Sequence, residues 1–166
     1  MVSWLPMKNQ AASRDCYTVA LRLLARRDHS CSELSGKLAD RGFPQDQIQR
    51  ALDRCLRFGY LDDKRFACTY VEQLQRKGYG CHRIRQMLVD KGVAHDVISD
   101  CLAHLCSDTV QIRDCRDTVQ KKVKNNRLSG DSPKARAKLH RFLLNRGFPA
   151  AVIRQVLNEE TAGPIE

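Results

Sequence analysis

The chain has 166 residues, with five histidines, eight cysteines and nineteen acids. These are raw materials for metal or acid–base chemistry, but their spacing argues against both. His29, His82, His95, His104 and His140 are scattered and form neither H-x-x-x-H nor H-E-x-x-H. The cysteines, at 16, 31, 55, 68, 81, 101, 106 and 115, include no C-x-x-C pair that would suggest zinc or a dithiol redox centre. Asp62 and Asp63 resemble a metal-binding acidic pair, yet they stand just before a helical pattern, where an N-cap and a first-turn acid belong. No glycine-rich phosphate loop or nucleophile elbow occurs. The expectation is no catalytic residue, no cofactor and no bound metal. Trp4-Leu5-Pro6 is too short for a secretory apolar region, and no run approaches the ~20 residues of a membrane span. Reduced thiols and a cytoplasmic location follow as expectations.

The remaining chemistry is cationic. The formal net charge is +10, which favours polyanionic or acidic partners. Its distribution is uneven: residues 113–146 hold eleven Lys/Arg against three Asp/Glu, whereas residues 62–112 balance at seven of each. Two clusters stand out. Arg76, Lys77 and Tyr79 end one predicted helix beside Gly78 and Gly80, and Arg83 and Arg85 open the next. Such a turn either grips phosphate or an acidic protein face, or it packs its tyrosine down and uses its cations as helix caps. Later, Lys121, Lys122, Lys124 and Arg127 precede Lys134, Lys138 and Arg141. With so little acid to offset it, this stretch is a candidate for polyanion contact.

Positioning these groups falls to a repeat. Gly42, Gly92 and Gly147 each follow a basic residue and precede an apolar one. Four residues earlier stand Leu38, Leu88 and Leu143, and eight earlier Leu34, Ile84 and Leu139. Six residues later stand Ile48, Ile98 and Ile153, and ten later Leu52, Leu102 and Leu157. Four-residue spacing places each pair on one helix face. The glycine falls at C′, where a left-handed residue closes a helix. A longer helix precedes each pair, over roughly 14–27, 62–77 and 108–124, while 125–133 has the composition of a loop. Each unit, at roughly 45 residues, is too small to be very stable alone, and stacked units bury one another's faces. The predicted fold class is all-α: an elongated tandem array of three three-helix repeats spanning 14–57, 58–106 and 107–160, between tails at 1–13 and 161–166.

Specific strings carry a resemblance. They include Ala20-Leu21-Arg22-Leu23-Leu24-Ala25-Arg26-Arg27-Asp28-His29-Ser30, Phe58-Gly59-Tyr60-Leu61-Asp62-Asp63, Arg76-Lys77-Gly78-Tyr79-Gly80, and Arg141-Phe142-Leu143-Leu144 with Arg146-Gly147-Phe148. In these the chain resembles the bacterial RecX family of recombination regulators over nearly its whole length. The resemblance implies three tandem three-helix repeats and a non-enzymatic role. That role is binding the RecA recombinase filament on single-stranded DNA and inhibiting its recombinase and coprotease activities, in DNA repair and the SOS response. Implied partners are the RecA filament and single-stranded, with duplex, DNA; a monomer with no membrane contact is expected. The competing class is a helical DNA-binding protein acting directly on DNA, since short basic helix pairs mimic helix-turn-helix modules.

Overall fold

The computed structural model of the chain describes residues 15–126 and 132–159. Among the described residues there are nine helices and no strand: α1 Cys16–Leu24, α2 Cys31–Ala39, α3 Gln45–Arg57, α4 Asp63–Arg76, α5 Cys81–Asp90, α6 His95–Leu102, α7 Asp108–Asn126, α8 Pro133–Asn145 and α9 Ala150–Glu159. They form three successive three-helix repeats. The caps explain the boundaries. Asp15 and Asp62 each accept a backbone N–H in the first turn that follows, from Thr18 at 3.2 Å and Arg65 at 3.0 Å. Ser132 caps α8 in the same way, with Pro133 at the first helical position. The Asp62–Asp63 pair is thus a cap and a first-turn acid.

The three repeat glycines close their helices identically. Gly42, Gly92 and Gly147 have φ of 83°, 68° and 83°. In each turn the glycine N–H donates three residues back, and the following apolar residue donates five residues back. Phe43 reaches the Leu38 carbonyl at 3.3 Å, Val93 that of Leu88 at 3.2 Å, and Phe148 that of Leu143 at 3.2 Å. This is the paired closure of a left-handed C′ residue.

The described residues cluster into two compact units. One holds α1, α3 and residues 33–39 of α2; the other holds Ser30–Ser32 and everything from Asp62 onward. In the first unit the core is Cys16, Val19, Ala20, Leu34, Leu38, Ile48, Ala51, Leu52 and Cys55. In the second, one apolar cluster is built from α4, α5 and α6 around Ile84, Leu88, Ile98 and Leu102. Another is built from α7, α8 and α9 around Cys115, Val119, Leu143, Phe148 and Ile153. The repeat positions noted in the sequence therefore supply the centre of each core.

All eight cysteines carry free thiols. Burial, with a neighbouring thiol in each case (Cys106 and Cys68 respectively), pushes Cys81 and Cys101 up to about 12. No helix among the described residues is long and apolar enough to cross a membrane.

Candidate functional site

The turn from Arg76 to Arg85 is held against the third repeat. Gly80 N–H donates to the Arg146 carbonyl at 2.8 Å and His82 N–H to that of Gly147 at 3.2 Å. Cys81 N–H donates to Gln111 Oε1 at 3.1 Å. These three backbone donors open α5, where a helix otherwise leaves N–H groups for an anion. Here the protein itself takes them. Tyr79 packs on the apolar cluster of α4–α6, and the Arg146 guanidinium lies 4.6 Å from its ring centre. The same arginine donates to the Lys77 carbonyl at 2.8 Å and sits 5.1 Å from the Phe142 ring. Arg146 thus joins the end of α4 to α8 through its charge and its plane.

The side chains of the other candidates in this turn remain outside. Arg76 is exposed and pairs with Glu72 at 3.3 Å, an ordinary surface pair. Lys77, Arg83 and Arg85 are exposed. So this segment combines inward glycines and tyrosine with outward cations.

In the third repeat, Lys134, Lys138 and Arg141 are all exposed on α8. Their spacing of four and three residues puts them in one row. Arg141 also borders a groove of about 580 Å³ between α8 and α9, with Arg136, His140, Leu144, Arg154 and Leu157. On α7, Lys121 and Lys124 are exposed, while Lys122 is half-buried with its ammonium 5.0 Å from the Phe142 ring. Phe142 therefore lies within reach of two cations, Lys122 and Arg146. Arg127 lies outside the described residues.

Sequence reasoning missed a polar seam along α7. Gln111, Asp114 and Thr118 are buried. Besides receiving Cys81, Gln111 donates Nε2 to the Leu105 carbonyl at 2.8 Å. Asp114 accepts from Gln75 at 2.5 Å and from Arg113 at 3.0 Å. Thr118 Oγ1 donates to the Asp114 carbonyl at 2.8 Å. Each of these three buried side chains has a partner, as burial demands, so the seam is a structural joint. Among the described residues no group of His, Cys, Asp and Glu is placed to hold a metal ion.

Comparison with known proteins agrees with this architecture. Three family profiles match in order: the first three-helix domain of RecX over residues 16–55, the second over 62–102 and the third over 111–157. A protein named regulatory protein RecX from Vibrio vulnificus (strain CMCP6) is 37% identical, covering 87% of this chain and 92% of that protein. One of the same name from Legionella pneumophila (strain Corby) is 40% identical, covering 84% and 91%. The crystal structure of RecX from Lactobacillus salivarius superposes with a TM-score of 0.74 at 25% identity, covering 89% of this chain and 95% of that one. With all three of its helical repeats matched in sequence and the fold matched in space, the chain belongs to the RecX family of regulatory proteins.

Proposed function

We propose that this chain is a non-enzymatic, monomeric, cytoplasmic regulator that binds the RecA filament on single-stranded DNA and inhibits its recombinase and coprotease activities. Family membership supports this reading, and the exposed row Lys134, Lys138 and Arg141 carries it to a surface of this chain. A row of cations with no ion pair among the described residues suits a partner made of phosphates and acidic protein faces. Lys121 and Lys124 on α7 extend the same charge, and Arg76, Lys77, Arg83 and Arg85 add more. The second and third repeats share one compact unit, so their cations meet a partner on a single pre-formed body, which limits the ordering lost on binding.

The test is recombinase ATP hydrolysis on single-stranded DNA, titrated with the full chain and with a variant carrying Lys134→Glu, Lys138→Glu and Arg141→Glu. Inhibition should weaken by roughly tenfold or more and lose part of its salt dependence. Equal inhibition by both proteins overturns this surface. Equal affinity for naked DNA and for recombinase-coated DNA would favour the competing reading, a protein that acts directly on DNA.

A further inference from the structure

The groove between α8 and α9 combines a cationic rim with an apolar floor. Arg136, His140, Arg141 and Arg154 stand around Ala137, Leu144 and Leu157, and among the described residues no acid lines it. Arg141 and Arg154 are exposed and form no ion pair among the described residues. Leu144 is a large apolar side chain left 44% exposed beside them. An occupant of this groove therefore needs an acid for the two arginines and an apolar side chain for the leucine.

Of the stretches outside the described residues, one complements this lining. Residues 1–14 carry Lys8 and Arg14 and no acid, and 127–131 carry one charge of each sign. Residues 160–166 carry Glu160 and Glu166, no base, and a single large apolar residue, Ile165. Position favours the same segment. It continues directly from α9, whose Arg154 and Leu157 belong to the lining. Arg136 near the start of α8 bonds to Asn158 near the end of α9. The two helices therefore run antiparallel, and the groove leads from that end back towards Leu144 and Arg154. From Glu159 back to Arg154 is about 7.5 Å along the helix axis. The seven residues 160–166 span at most about 25 Å when extended, enough to turn back and cover that distance. Gly163-Pro164 is a pair suited to such a reversal. Tethering also raises the segment's effective concentration to the millimolar range, so contacts too weak to hold a free peptide suffice.

We propose that residues 160–166 fold back along the α8–α9 groove, with Ile165 on Leu144 and Glu166 between Arg141 and Arg154. Bound there, the segment covers Arg141, one member of the row Lys134, Lys138 and Arg141. The regulatory consequence rests on the function proposed above: the segment competes with the polyanionic partner for this surface and holds back inhibition until it is displaced.

The docking is tested without recombinase, by NMR of the methyl-labelled full chain. Ile165 should give cross-peaks to the Leu144 methyl groups, independent of protein concentration. Ending the chain at Glu159 should shift the methyl resonances of Ala137 and Leu144. Those of Val119 and Ile153 in the core should stay in place, which also confirms folding. Glu166→Arg should abolish the cross-peaks, and adding Arg141→Glu with Arg154→Glu should restore them. Absent cross-peaks, or a truncation that leaves Leu144 unmoved, overturn the docking. Cross-peaks that vanish on dilution assign the groove to a second copy of the chain and overturn it as well. The competition is read separately, in recombinase ATP hydrolysis on single-stranded DNA. Ile165→Ser leaves the charge unchanged and should lower the concentration for half-inhibition about threefold, as when a surface closed two-thirds of the time is freed. Equal inhibition by this variant overturns the competition. If the Lys134, Lys138 and Arg141 triple variant still inhibits in full, the row has failed, and the docking stands on its cross-peaks.

Discussion

Gly42 in the first unit and Gly147 in the second share one backbone shape, with φ of 83° in both. Their surroundings differ. A side-chain carbon added to Gly42 would meet nothing within 4 Å, whereas one added to Gly147 would fall on the backbone nitrogen and Cβ of Arg83. At Gly42 glycine is needed only because the helix must close in a left-handed conformation. At Gly147 it is needed a second time, because another repeat's backbone occupies the place of the side chain. The same motif thus ends a helix in one unit and joins two repeats in the other.

Substitutions can separate the two demands. Gly147→Ala carries both penalties and should destabilise the second unit by about 3–4 kcal/mol in chemical denaturation, combining left-handed strain with overpacking against backbone. Gly80 faces Gly147 across the joint with φ of −85°, an extended conformation open to any residue. An added Cβ there would lie 2.5 Å from the Gly147 carbonyl oxygen. Gly80→Ala should therefore show the steric part alone, about 2 kcal/mol. Gly42→Ala should show the conformational part alone, about 1 kcal/mol. If Gly42→Ala and Gly147→Ala prove equal, the joint yields easily and the contrast collapses.

A smaller effect distinguishes the units by pH. His29 is buried in the first unit, and its Nδ1 lies 3.1 Å from Glu33 without making a hydrogen bond. Burial lowers its proton affinity; Glu33 partly offsets this, and Arg27 and Lys37 add to the lowering. The unfolded chain therefore takes up this proton first as pH falls. The stabilisation is complete above the unfolded value of about 6.5 and is lost as pH drops through the depressed folded value. Residue-resolved NMR should find the first unit loosening between neutral pH and pH 5, and His29→Gln should blunt that response. A pH-independent first unit would remove this distinction.

The repeat was readable because its determinants are local. A C′ glycine, an apolar residue after it and leucines four and eight residues before it define a helix end without reference to the rest of the chain. The helix before each pair was also visible, with its ends displaced by a few residues at most: α1 is Cys16–Leu24 within the expected 14–27. The seam on α7 was hidden because Gln111, Asp114 and Thr118 look like surface residues until Cys81 and Gln75 from the preceding repeat come to meet them. Arg146 was visible as the basic residue before a repeat glycine and as one more cation in a basic stretch. Its role depends on Lys77 and Tyr79, far away in sequence. A groove of about 1260 Å³ between α1 and α3, lined by Arg22, Arg26, Arg41, Arg50 and Arg54, was missed for the opposite reason. Its arginines are spread from residue 22 to residue 54, in a segment of modest net charge, and only folding gathers them.

The bonds from Gly80 and His82 to the Arg146 and Gly147 carbonyls tie the start of α5 to the end of α8 through main chain alone. Side-chain drift can reshape a surface without disturbing such a tie, so the register between the second and third repeats is insulated from most substitutions. It also couples their opening. The amide protons of Gly80 and His82 lie in the second repeat, yet their exchange with solvent requires the third to let go. In native-state hydrogen exchange they should be released together with the amides of α8 and α9, as one cooperative unit spanning a boundary that the sequence repeat alone would draw between them.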